Sequence, residues 1–470
     1  MRFHFLLCIA PLIFVSGCQN TNSHQNRVLS VKTLDRVSQF MPHNLKAKVL
    51  NPGLKPNWLT SKPSQFWYET INLSANKEKL QGFFLVDTAS RKQTELFNRQ
   101  SMAIALGRAD LDWAQFPLKH FSYDGDKAEF TYSDKSFSCR FLSPTVLCHK
   151  LEKVRDWPEY VSPDKNFYVK LNNYNLHLCV TKDDKCVQLT RDGTEQRPYA
   201  VTHPYPETKL NDSSYDEQEN LELYWSGNSQ YVVTYRLNRK GVNKLYLTDS
   251  VSSDQYNVKT VDYYYPQAGD EHLPSAELVV IDVKKQTAKV VDAPGIMQTY
   301  YGGPLWGYWH KNEYYYHDRR RGNREYFLRK LIPSKAEVKT LIKETDHQFI
   351  DPWVQSFRLL NQSDEVIWTS QRSGYQHLYL YDSQNGELKN AITSGDFTVR
   401  VIRGVDEKNR VLYFEASGKE ESRDPYFRHL YRVDLDGSNL TLLTPEVMEH
   451  DTRMSPDHKV FVDTYSDHKT

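Results

Sequence analysis

The sequence lacks an excess of charge of either sign. Its 470 residues carry 60 Lys and Arg against 59 Asp and Glu, a formal net charge of +1. A near-neutral chain has no global field to steer it to polyanions, which excludes a nucleic-acid partner. It also lacks runs long enough to form a membrane span: the apolar stretch Phe5–Val15 is too short to cross a bilayer as a helix. No long stretch of helical periodicity follows it. Cysteine is scarce, at six. No Cys pair has C-x₂-C spacing and no His pair has i, i+4 spacing with a Glu, so no metal and no cofactor is expected. There is no G-x-S-x-G. Gly227-Asn-Ser229 is followed by Gln230 and Tyr231 and fails the pattern, so no nucleophile turn of the hydrolase type is encoded.

What is present is aromatic. Phe, Trp and Tyr make up 13% of the chain, a level that favours strands. The N-terminus combines Arg2, the apolar run and Ser16-Gly17-Cys18. A basic start followed by a short apolar core is an export signal. Ser16 and Gly17 leading into Cys18 resemble the lipobox of bacterial lipoproteins. The resemblance implies a signal peptide over 1–17, cleavage before Cys18 and lipidation of its thiol, in place of an ordinary secretory signal cut elsewhere. Residues 18–49 then form the lipid anchor and a polar, flexible tether. Gln19 after the anchor resembles the sorting pattern for the outer membrane, facing the periplasm.

Four further cysteines come as close pairs, Cys139 with Cys148 and Cys179 with Cys186, each flanking a turn-like segment. Two strands joined by such a turn bring Cβ atoms within disulfide range, and export permits oxidation. Two hairpin disulfides are expected, and a Cys₄ metal site is the rejected rival.

Short strand-like phrases recur along the chain: Gly82–Asp87, Asn175–Val180, Leu245–Asp249, Glu277–Asp282, Glu325–Arg329, His377–Asp382 and His429–Asp434. The last three begin 52 residues apart, since 429 − 377 = 52 and 377 − 325 = 52. A polar turn and a segment ending near Leu-Thr follow several of them, as at Leu189-Thr190, Ile392-Thr393 and Leu443-Thr444. A second phrase precedes strands: Ser162-Pro-Asp164, Ser226-Gly-Asn228 and Ser455-Pro-Asp457. Units of about 50 residues built from several short strands are propeller blades. A chance-patterned β-sandwich would explain the alternation but not the 52-residue register. The expected fold is all-β, an eight-bladed β-propeller of four-stranded blades over 50–470.

The ordered set of phrases resembles the N-terminal propeller of dipeptidyl-peptidase-IV-type serine peptidases, in the prolyl oligopeptidase clan. The matching segments run from Pro56–Leu59 and Phe66–Tyr68, through Trp225–Ser229 and Tyr265–Glu271, to Trp368–Leu380, Asp424–Tyr431 and Asp463–Ser466. In that family a hydrolase domain with a Ser-Asp-His triad follows the propeller. The resemblance places Thr470 inside the last blade. It therefore implies an incomplete last blade, a missing hydrolase domain and a chain inactive alone. The family also grips the substrate's α-ammonium with two adjacent Glu residues on a propeller insertion. The matching stretch here, Tyr205–Trp225, has no Glu-Glu pair. It offers Asp216, Glu217, Glu219 and Glu222, with Glu217 and Glu219 as the candidate substrate-binding residues and a solvated acidic loop as the plainer reading.

Other clusters read as structural. The basic run Asp318–Arg324 is a hairpin tip. His377 and His429 sit at equivalent repeat positions, which favours a bond within the blade. Arg372 and Asp424 read as ion-pair partners near blade turns. The expected partners are peptides and, through the lipid, a membrane. The function implied is the substrate-gating part of an exported peptidase. The alternative is a stand-alone anchored propeller that binds peptides or an envelope protein. The DNA immediately downstream separates the two.

Overall fold

The computed structural model describes residues 30–41, 44, 51, 53–73, 79–108, 118–142, 145–151, 160–204, 208, 215–249, 258–297 and 303–467. The signal segment 1–17 and Cys18 lie outside the described residues. Two units are distinguished, residues 1–53 with 70–82, and residues 54–69 with 83–470. In the first unit the helix Val31–Ser38 starts at Ser30, whose Oγ accepts from the Thr33 N–H at 3.1 Å. This helix lies within the segment read as a tether. Among the described residues no helix is long and apolar enough to cross a membrane.

The second unit is almost entirely antiparallel sheet. Among the described residues eight sheets follow one another in chain order, spanning 57–95 (which also takes in residues of the first unit), 119–150, 167–188, 224–297, 306–345, 357–391, 398–442 and 449–466, and a ninth, two-stranded sheet is inserted within 224–297. Most are four-stranded meanders. The sheet at 167–188 has three strands and gains a bridge from Val161 to Tyr168. The sheet at 449–466 is the hairpin of Glu449–Met454 with Phe461–Ser466.

Period-two alternation explains how the sheets stack. In the sheet at 357–391, the strand Glu365–Ser370 is buried on both faces. Val366 and Trp368, opposite Tyr381 and Tyr379, join a core with Tyr315, Tyr326 and Leu328 of the preceding sheet. Ile367, opposite Leu380, joins a core with Leu412, Phe414 and Tyr431 of the following sheet. Successive side chains of one strand thus feed two different cores. A series of meander sheets that share cores with their neighbours in chain order, as those from 167 to 442 do, is a β-propeller.

The recurring phrases have physical jobs. Five of them lie in the third strand of their sheets, as in Lys79–Asp87, Ser275–Asp282, Glu325–Ile332, His377–Asp382 and Arg428–Asp434. The threonine of each Leu-Thr type phrase ties the outer edge back to such a strand. Thr393 Oγ1 accepts from the Leu378 N–H at 3.0 Å, and Thr444 Oγ1 from the Leu430 N–H at 2.9 Å. Thr190 Oγ1 does the same for the Leu176 N–H at 2.9 Å. The Ser-x-Asp/Asn phrase closes the turn between first and second strands. Ser162, Ser226 and Ser455 each donate to the Asp164, Asn228 or Asp457 side chain. Each then accepts from the N–H of Phe167, Tyr231 or Val460. His377 bonds Thr393 Oγ1 at 3.0 Å and His429 bonds the Thr444 carbonyl at 3.1 Å, both within their own sheet.

Three details differ from the sequence reading. Leu245–Asp249 is not a blade strand. It belongs to a hairpin, Lys244–Asp249 with Lys259–Tyr264, inserted between Tyr231–Asn238 and Ser275–Asp282. The run Asp318–Arg324 is a hairpin tip, but its first two residues are strand and buried. Asp318 accepts from Arg329 at 2.7 Å and Arg320 at 2.9 Å. Asp424 accepts from the Tyr426 N–H at 2.9 Å and so caps a turn, whereas Arg372 does pair with Glu344 at 3.4 Å. Cys139 faces Cys148, and Cys179 faces Cys186, in register on adjacent strands. Each pair is joined as a disulfide, with Cα atoms 4.1 and 4.0 Å apart.

Candidate functional site

Two connections build one cleft. Residues 189–223 lead from the sheet at 167–188 to the next one, and residues 239–274 are the insertion in that next sheet. The first connection is pinned onto the sheet by a backbone bridge from Tyr199 to Arg236, and Val201 bridges Leu221 within the connection itself. A charged network holds the same place. The Arg236 side chain donates to Glu277 at 2.9 Å, pairs with Asp192 and lies 5.7 Å from the Tyr199 ring. Asp216 then caps a single turn of 3₁₀ helix, Glu217–Glu219, by accepting from the Gln218 N–H at 2.9 Å. Gln218 Oε1 accepts from the Tyr174 N–H at 2.9 Å, which fixes the turn against the preceding sheet. Gly241 turns the chain into the insertion at φ +76°, where a Cβ would meet His272 at 2.7 Å.

The cleft between these segments has a volume of about 470 Å³. Four carboxylates line it, Glu195, Asp216, Glu217 and Asp262, with the rings of Tyr174, Tyr215, Tyr263 and Tyr264. Two cations answer them. Arg239, its side chain only 2% exposed, donates to Glu217 at 3.1 Å and lies 5.1 Å from the Tyr264 ring. Lys244 pairs with Asp262 at 2.8 Å. Four negative charges against two positive leave the site net acidic. Burial, then the Glu217 charge, pushes the Tyr215 hydroxyl up to about 12, and the same two causes raise Tyr174. The hydrogen bond to Asp262 raises the Lys244 ammonium. Carboxylates beside ring faces hold a cation by charge and by the ring quadrupole. No serine, threonine or cysteine is among the lining residues. Among the described residues no cluster of His, Cys, Asp and Glu is placed to hold a metal.

The two sequence candidates separate. Glu217 lines the cleft and is tied to Arg239. Glu219 is exposed and does not line it; its carbonyl accepts from Tyr160 Oη at 3.0 Å. Glu222 turns away into the body of the protein, where burial pushes its carboxyl up to about 7 and Tyr224 Oη donates to it at 2.7 Å. Sequence reasoning missed Glu195, Lys244, Asp262 and the tyrosines. The signal was the spacing. The insertion at 239–274 breaks the 52-residue register, and it is rich in tyrosine and charge.

Stacked meander sheets, with an acidic cleft built by an inter-sheet connection and an insertion, define a β-propeller. The sequence profile of the family described as the dipeptidyl peptidase IV (DPP IV) N-terminal region matches residues 143–470, and the chain belongs to that family. The chain is 27% identical over 312 residues to dipeptidyl-aminopeptidase B of Aspergillus niger. It is 26% identical over 313 residues to a probable dipeptidyl-aminopeptidase B of Aspergillus oryzae. Each match covers 60% of this chain and 32% of the relative, so the matched region is about a third of the curated relatives' length. Dipeptidyl peptidase 4 of Porphyromonas gingivalis superposes with a TM-score of 0.55 at 18% identity, over 88% of this chain and 56% of that one.

Proposed function

We propose that this chain is the substrate-gating, peptide-end-holding propeller of an exported dipeptidyl-peptidase-IV-like serine peptidase. It acts in proteolysis when joined to a hydrolase domain. The observation that carries this reading is the convergence of Glu195, Asp216, Glu217 and Asp262 with four tyrosine rings on one cleft. A peptide's α-ammonium is a compact cation that such a cleft would bind, while an acylated end offers no charge to hold. The absence of G-x-S-x-G from the 470 residues fits a division of labour, with bond cleavage supplied by the hydrolase domain. Eight blades, lipidation at Cys18 and an outer-membrane position facing the periplasm complete the proposal.

The test is calorimetric titration of the purified chain with glycyl-proline amide and with its N-acetylated form. Binding of the free amine, and at least about tenfold weaker binding of the acetylated form, is expected from the loss of a charged contact. Equal binding of the two would remove the ammonium clamp from the account.

A further inference from the structure

The cleft is not an empty acidic cage. The strand register of the inserted hairpin sets Lys244 directly opposite Tyr264, with Asp262 two residues away on the same face. The Lys244 ammonium therefore sits 2.8 Å from Asp262, 3.5 Å from Glu195 and 4.8 Å from the centre of the Tyr264 ring. Tyr264 Oη also donates to Glu195 at 3.2 Å, so ring and carboxylate are held as one wall. An ammonium between two carboxylates over a tyrosine face is the arrangement a bound amine would adopt.

The remaining acids have duties elsewhere. Glu217 is paired with Arg239, and one oxygen of Asp216 caps the 3₁₀ turn. The carboxylates best placed for an incoming amine are the two that Lys244 already holds. A buried arginine backs two of the lining side chains, Glu217 and Tyr264. Arg239 is buried between Glu217 and the Tyr264 ring, and its Nη2 has no hydrogen-bond acceptor.

We infer that Lys244 is a tethered occupant of the cleft, an internal competitor that a ligand's ammonium must displace, and so sets affinity and selectivity for amines. The inference rests on the cation-holding reading of the cleft. Displacement requires only that a partly exposed side chain on the inserted hairpin swing out to solvent, which leaves the cores of the sheets untouched. No bond is made or broken; one ammonium replaces another.

The test compares the full chain with Lys244→Met, Lys244→Gln and Lys244→Arg by titration with glycyl-proline amide. Unchanged far-ultraviolet spectra and melting would check the fold. The neutral variants are expected to bind the amine about tenfold more tightly or better, because a like charge leaves the site. The arginine variant, which keeps the charge, should stay within about threefold of the unmodified chain. If the unmodified chain binds and the neutral variants bind no tighter, the competitor role of Lys244 is wrong and the clamp stands. If neither the unmodified chain nor any variant binds the amine, the clamp and this inference both fail.

Discussion

Replacing Glu415 by alanine is expected to cost the protein about 3 kcal/mol of stability, near the lower edge of what breaking a buried ion pair does. Glu415 lies on Val411–Ser417 and is fully buried. It accepts from the Thr452 N–H at 2.8 Å and Thr452 Oγ1 at 2.7 Å, and from Arg403 at 2.8 Å and Arg428 at 3.4 Å. Removing the carboxylate strands a buried backbone donor and withdraws one partner from each of two arginines. The loss stays near the lower edge because Arg403 keeps Asp451 and Arg428 keeps Glu449. Thr452 belongs to the hairpin at 449–466, so the damage should be local first. Hydrogen exchange is expected to show Glu449–Met454 losing protection before the sheet at 398–442. Urea unfolding that shifts by less than about 1 kcal/mol would show that this carboxylate is not the joint between the two sheets.

The second large effect is acid lability through Glu365. This residue is 5% exposed on the strand Glu365–Ser370. Burial alone would raise its pKa. Donors outweigh that: Arg410 at 2.8 and 3.3 Å, Lys389 at 2.9 Å and Ser363 at 2.8 Å hold it at about 2. The folded value is depressed below that of the unfolded chain, roughly 4.3. The linked stability is therefore fully present above the unfolded value and is lost as pH falls toward the folded one. Arg410 and Lys389 are partly exposed, so screening trims the contribution to about 2 kcal/mol. Urea midpoints measured from pH 5 down to pH 2 should fall steeply for the unmodified chain. Glu365→Gln should be weaker at neutral pH and flatter over that interval. Parallel curves for the two proteins would rule Glu365 out as the acid-labile contact.

Much of the fold was legible because its repeats do local work. The Ser-x-Asp/Asn phrase is legible because a hydroxyl closes a turn five residues long, and the Leu-Thr phrase because the threonine hydroxyl reaches one particular N–H. Cys179 and Cys186 are legible because a short turn dictates the register that opposes them. The failures share a cause as well. Leu245–Asp249 has the composition of a blade strand, and composition does not say whether a strand joins a sheet or projects from it. Glu217 was legible as an acid in the right stretch, but its pairing with Arg239 spans 22 residues and an intervening strand. Glu195, Lys244 and Asp262 come from two separate connections, and only the fold brings Lys244 within 4 Å of both acids. The buried acids Glu344 and Glu415 were invisible for the same reason, since each has partners on the following sheet, Trp368 and Ser370 for Glu344 and Thr452 for Glu415.

The central proposal is that the acidic cleft holds a peptide's amino end, with cleavage left to a hydrolase domain. The most direct measurement gives the purified 470-residue chain an X-Pro chromogenic substrate and follows retention and cleavage together. The account predicts that equilibrium dialysis finds the intact substrate on the protein side, with no chromophore released. Chromophore release that stops on adding a serine-directed inhibitor would contradict it.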